Sequence, residues 1–89
     1  MKILIDRSFE RDVKKLPITI QLKVKSTIEL IVAASRLEEL AATKMEGAKS
    51  AYRIRIGDYR IGFYLENNQI VLSRALNRKE IYRYFPKNK

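Results

Sequence analysis

The stretch "AYRIRIGDYRIGFYL", Ala51 to Leu65, alternates apolar and basic side chains on either side of Gly57-Asp58. Alternation with a period of two is the mark of a β-strand with one buried face. Two such runs joined by two residues, the first a glycine, predict a hairpin with a type II′ turn. That turn sets the register: Ile56 faces Tyr59, Arg55 faces Arg60, Ile54 faces Ile61, Arg53 faces Gly62 and Tyr52 faces Phe63. Tyr52, Ile54, Ile56, Tyr59, Ile61 and Phe63 then share one side of the sheet, and Arg53, Arg55 and Arg60 share the other.

Downstream, Asn67-Asn68 reads as a second turn leading into "QIVLSRAL", a third strand of the meander. "NRKEIYRYF", residues 77–85, predicts a short terminal helix anchored by Ile81, Tyr84 and Phe85 and ended by Pro86. Upstream, "KMEGAKS" is a connector, and before it the period becomes helical. Phe9, Val13 and Leu16 recur at spacings of four and three after Ser8, a candidate N-cap with Glu10 and Asp12 in the first turn. Beyond Pro17, Ile20, Val24, Ile28, Ile31 and Val32 form a second apolar stripe. Ser35 and Glu38 have the spacing of a capping box for a further turn carrying Leu37 and Leu40. At the start, Lys2 to Asp6 alternates as a short strand, with Ile3 and Ile5 on one side and Leu4 on the other. The order is βααβββ with a short C-terminal α. It makes an α+β fold in which two N-terminal helices cover the apolar face of a small antiparallel sheet.

At 89 residues, 46% of them hydrophobic, the chain supports one domain, residues 1–89. It contains no apolar run of the ~18 residues a membrane span needs, so a cytoplasmic protein without a membrane partner is expected. Neither cysteine nor histidine occurs, which removes disulfides and the usual transition-metal ligands; no metal or other cofactor is expected. The net charge is +9 and lopsided: residues 1–43 carry 8 basic and 6 acidic side chains, residues 44–89 carry 11 and 4. Basic residues kept only for solubility would be spread more evenly. A positive field gathered in one half favours a polyanion.

Arg55 opposite Arg60, with Arg53 one pleat away, is a like-charge arrangement that weakens a hairpin. A bound anion relieves it, and the guanidinium fork matches phosphate oxygens. With Gly62 opposite Arg53, and Ser73 and Ala75 expected beside it, the sheet face reads as a trough for phosphate, with Tyr64 at its edge for base stacking. The plainer reading is a solvated face whose arginines pair with Glu66 and Glu80.

The same residues carry a resemblance. "FERDVKKLP", "KMEG", "YRIRIGDYRIGF" and "NRKEIYRYF", in that order over nearly the whole chain, resemble the RelE/ParE superfamily of toxins from toxin-antitoxin pairs. The resemblance implies a RelE-like fold, a cognate antitoxin laying an acidic segment over the basic sheet face, and, for RelE-type members, ribosome-dependent cleavage of messenger RNA that inhibits translation. ParE-type members share the fold and inhibit DNA gyrase without chemistry. That alternative, and a basic nucleic-acid-binding module without catalysis, stand beside the nuclease reading.

Carried onto this sequence, the family pattern puts the catalytic set at Arg53, Arg55, Arg60, Arg78 and Tyr82, with Tyr84 as the alternative tyrosine. Lys49, Tyr64, Arg74, Lys79, Arg83 and Tyr84 are the expected RNA contacts. The family has lysines at the positions of Arg53 and Arg55, and often a histidine at that of Asn77. The set is therefore complete for stabilising charge and short of groups that move a proton near neutrality.

Overall fold

A computed structural model describes residues 1–87. In chain order it contains β1 (Lys2–Ile5), α1 (Arg7–Lys14), α2 (Ile18–Ala33), β2 (Ala42–Lys44), β3 (Ala51–Ile56), β4 (Tyr59–Glu66), β5 (Gln69–Asn77) and α3 (Ile81–Tyr84), with a 3-10 turn at Leu37–Glu39 before β2. The sheet runs β1-β5-β4-β3-β2. Its β2–β3, β3–β4 and β4–β5 pairings are antiparallel, the last two as expected, but β1 lies parallel to β5, so the sheet is mixed. β2 was not foreseen, because three residues are too few to display a period. It closes the far edge by pairing Ala42 with Ile54, Thr43 with Arg53 and Lys44 with Tyr52.

The β3–β4 hairpin has the expected register throughout, from Ile56 opposite Tyr59 to Tyr52 opposite Phe63. Gly57 supplies the positive φ of 58° that a type II′ turn needs at its first central residue. Asn67 and Asn68, at φ 51° and 62°, instead make the type I′ connection from β4 to β5, a conformation asparagine tolerates.

Helices α1 and α2 cover the apolar face. Phe9, Val24 and Ile31 are buried there against Ile54, Ile56, Ile61, Phe63, Ile70, Leu72 and Ala75. The α2 stripe is narrower than the sequence suggests: Ile20 and Ile28 are partly buried, whereas Val32 is 58% exposed, one step off the buried Ile31. Ser8 is not the cap of α1, whose N-cap is Asp6; Ser8 lies inside the helix and donates to the Ser73 carbonyl at 2.6 Å. At the 3-10 turn, Glu39 rather than Glu38 accepts from the Ser35 amide, at 3.2 Å. Among the described residues no helix is long and apolar enough to cross a membrane.

A second, smaller core occupies the other face, where Met45, Ala51, Ile81 and Phe85 are buried together with Ala48, Tyr64 and Leu76 packed against them. Gly62 makes this possible. A Cβ there would stand 2.5 Å from Phe85 Cδ2, well inside contact distance, so the bare backbone at Gly62 is the seat of the Phe85 ring. The trough expected from Gly62, Ser73 and Ala75 is accordingly filled. Ala75 pairs with Ile61 on the helix-covered face, and Arg74 is the residue beside Gly62. The shift comes from a β-bulge at Gly62/Phe63, which leaves Ser73 outside the ladder and re-phases β5. Ile81 and Phe85, four residues apart, anchor α3 as expected, but Tyr84 is 47% exposed and does not.

Replacing Gly62 by alanine forces a ring that is almost wholly buried to move. We expect G62A to lose about 1–3 kcal/mol, as overpacked cores do, read as a lower urea midpoint; an unchanged midpoint would show that Phe85 does not depend on this seat.

Candidate functional site

The face that carries α3 is organised by one cross-strand row: Thr43 on β2, Arg53 on β3, Gly62 on β4 and Arg74 on β5. Phe85 sits on the glycine, so an arginine flanks it on each side. Both arginines engage α3. The Arg53 guanidinium carbon lies 5.5 Å from the centre of the Tyr82 ring, and that of Arg74 lies 5.2 Å from the Tyr84 ring. Cation–π contacts of this kind hold a short helix that has little stability of its own.

The next row puts Arg55 opposite Arg60 and Arg60 beside Leu76. Arg60 turns back over its own hairpin, with Nη1 donating to the carbonyls of Gly57 and Tyr59, each at 2.8 Å. Arg78 belongs to the same end, since its amide donates to the Asp58 carbonyl at 2.8 Å. Asn77 shapes that junction by accepting the Lys79 amide at its Oδ1, 2.9 Å away. Arg55, Arg78, Lys79 and Arg83 are exposed, and Tyr82 is 58% exposed. A groove of about 500 Å3 opens between β2 and α3, lined by Thr43, Lys44, Arg53, Tyr82, Arg83 and Phe85 among others. Arg53, Arg55, Arg60, Arg78, Lys79, Tyr82 and Arg83 therefore belong to one side of α3 or to the hairpin end beside it.

Among the described residues the ion pair is a different one, Arg74 with Asp12. Glu66 and Glu80 take no arginine there. Glu10 is the acid of the first turn of α1; Asp12, which the sequence also places there, is only 7% exposed and accepts from Arg74 Nε at 2.7 Å, Arg74 Nη2 at 3.1 Å and the Ala75 amide at 3.0 Å. The cause is the length of β1. Its pairing with β5 stops at Ile5 opposite Leu72, and the Asp6 amide adds one bond to the Leu72 carbonyl. Beyond that point the outer edge of β5 has no strand beside it among the described residues. Ser8 and Asp12, one helical turn apart on α1, take over, accepting or donating where a strand would. Hydrogen bonding to Asp12 raises the Arg74 pKa above its ordinary value against the opposing effect of burial, with the charge of Asp12 adding to it.

Arg74, expected to meet RNA, thus has its charge satisfied within the protein. Tyr64, expected to stack on a base, packs its ring against Phe85 at 5.0 Å between centroids and accepts the Lys87 amide at its hydroxyl. Lys49 lies in the loop before β3, at the end of the sheet away from Arg78. No group of three or more acidic side chains among the described residues gathers as a metal cage.

A scan against models of protein families gives no match. In sequence the chain is 39% identical to Toxin RelE3 of Methanocaldococcus jannaschii over 88 residues, which cover 97% of this chain and 100% of the relative. In structure it is similar to a chain of the RelB–RelE antitoxin–toxin complex from Methanococcus jannaschii, with a TM-score of 0.78, 36% identity, and 93% and 99% of the two chains covered. The isolated RelE toxin of E. coli shares the fold at a TM-score of 0.69 and 18% identity, over 92% of this chain and 90% of that one.

The Arg55–Arg60 pair makes a prediction about anions. R55T should stabilise the anion-free protein by a few tenths of a kcal/mol, roughly the cost of like charges placed opposite each other. It should also reduce the rise in Tm that inorganic phosphate gives the unaltered protein. Equal phosphate stabilisation of the two proteins would show that Arg55 meets no anion.

Proposed function

Because this chain belongs to the RelE family of toxins, we propose that it is the toxin of a RelE–RelB pair, a ribosome-dependent endoribonuclease that cleaves messenger RNA and so inhibits translation. The observation that carries the nuclease reading is the set of arginines without a carboxylate partner among the described residues, Arg53, Arg55, Arg60 and Arg78, beside an exposed tyrosine on α3. The relatives carry the RelE name, and the ParE-type alternative has no comparable support.

The reaction is attack of a ribose 2′-hydroxyl on the adjacent phosphate, with the 5′ oxygen leaving and a 2′,3′-cyclic phosphate left behind. Negative charge accumulates on the phosphorus oxygens at the transition state, and fixed guanidinium groups stabilise it without having to reorganise. Arg60 is suited to this task because its turn carbonyls hold it while other N–H groups remain for phosphate. Arg78, pinned beside the same turn by its own backbone, supplies a second donor. Arg53 is already stacked on Tyr82, so it holds the phenol as well as contributing charge. The exposed Tyr82 phenol is the O–H donor beside these arginines, placed to hand its proton to the leaving 5′ oxygen. Removing the 2′ proton is the step these residues do least well, and the ribosome provides the geometry or the acceptor for it. Free RNA is then a poor substrate. Lys79, Arg83 and Tyr84 extend the contact to flanking nucleotides, with Lys49 at its far end. A RelB-like antitoxin neutralises the toxin by laying an acidic segment over the same basic face.

R60A and R78A should each lower the rate of 2′,3′-cyclic phosphate formation on programmed ribosomes by about 10²–10³, the loss typical of a missing oxyanion donor, with far-UV spectra unchanged. Full activity in the double variant would exclude arginine catalysis. Y82F separates proton transfer from stacking: a rate loss in Y82F places the proton on Tyr82, whereas activity kept by Y82F and lost by Y82A leaves the ring a stacking role.

A further inference from the structure

The buried Asp12 is not accounted for by the phosphate chemistry, and its position in a chain of contacts gives it a role. We infer that Asp12 is a positioning residue: through Arg74 and Tyr84 it sets the placement of α3 and hence of Tyr82, an inference whose catalytic part rests on the nuclease reading. The chain is short. Asp12 fixes the Arg74 guanidinium by two hydrogen bonds, which set its plane as well as its place. Arg74 presents that group to the Tyr84 ring at 5.2 Å. Tyr84 and Tyr82 are two residues apart on α3, so they project to opposite sides of it, each against its own arginine.

The helix has only four residues and depends on tertiary contacts. Ile81 and Phe85 fix its height above the sheet, and since both lie on its underside, its rotation about its own axis depends on contacts at its flanks. Roll is limited by the two flanking cation–π contacts. On the Arg53 side the half-buried arginine lines the groove and, among the described residues, has no carboxylate partner to fix its plane. On the Arg74 side the guanidinium is locked by Asp12, which is itself held by the Ala75 amide of β5. Asp12 is therefore the fixed point from which Tyr82 is oriented, although the two lie on different elements and Asp12 is far from the exposed arginines in sequence.

Amide hydrogen exchange on the full chain tests this without needing activity. The amides of Arg83 and Phe85, which donate to the carbonyls of Glu80 and Ile81, report α3, and those of the β3–β4 ladder report the sheet. D12N, which keeps an oxygen for the Ala75 amide, should speed exchange at Arg83 and Phe85 by about tenfold with the ladder unchanged, the pattern of a local opening. Y84L should do the same without touching the ion pair, and D12N/Y84L should add little to either, as members of one coupled unit do. Should D12N fold poorly, R74K serves in its place, since lysine keeps the charge and lacks the plane. Uniform acceleration over α3 and the ladder, or additive effects of the two substitutions, would overturn the positioning role. On programmed ribosomes D12N should lower kcat by about tenfold with KM nearly unchanged, as expected when reacting groups are slightly misplaced. A wild-type protein that cuts nothing would defeat the nuclease reading while the exchange result still decides whether Asp12 positions α3.

Discussion

The β3–β4 hairpin pairs Ile54 with Ile61 and Arg55 with Arg60 around a glycine at φ 58°, and a slip of one residue would exchange the contents of the two sheet faces. Ile54, Ile61 and Phe63 would leave the helices for water, and the arginines would enter a core that offers them no acceptors. Burial of side chains that size stabilises by about 1.5–3 kcal/mol each, and an unpaired buried charge costs several kcal/mol more, roughly. The register is thus held from both sides of the sheet. Having fixed it, the chain has a face on which basic residues gather, and the other features of the site are arranged around that face.

What happens on that face turns on Gly62. A side chain there would exclude Phe85, which with Ile81 seats the C-terminal segment on the sheet. Instead the ring occupies the centre of the face and divides it. On one side lie Arg53, Tyr82 and the groove toward β2. On the other lies Arg74, bound to Asp12 and spent on structure. The two sides are built alike, an arginine next to Gly62 with a tyrosine over it. They differ because α1 runs beside only one of them, supplying a carboxylate where β1 has ended.

The legible parts of this molecule were those governed by local rules. Alternation and a Gly-Asp turn fixed the hairpin pairs from Ile56–Tyr59 to Tyr52–Phe63, and the apolar spacing from Phe9 to Val13 marked the first covering helix, although Leu16 lies past its end at Lys14. Short or long-range features were not readable. β2 has three residues, and no periodicity can be read in so few. The bulge that moves Arg74 next to Gly62 has no local signature in "VLSRAL", so Ser73 and Ala75 were expected there instead. Asp12 and Arg74 are 62 residues apart, and nothing near either names the other. One hint was present: Ser8 and Asp12 are spaced as two polar groups on one face of α1, alongside Phe9 and Val13 that had to face the core. Two polar groups beside a core-facing stripe call for partners inside the protein. The basic half of the chain pointed to a polyanion, but sequence could not say which arginines were free to meet it.

If the arginines of this face act on the phosphates of translated messenger RNA, as proposed, mapping transcript ends across the cell after brief induction of the intact toxin without its antitoxin should reveal the cuts. New ends should be confined to translated reading frames and in phase with codons, carry 2′,3′-cyclic phosphates and disappear when initiation is blocked beforehand. Growth arrest with intact transcripts and broken chromosomal DNA would contradict that proposal, and would place the target at a topoisomerase instead.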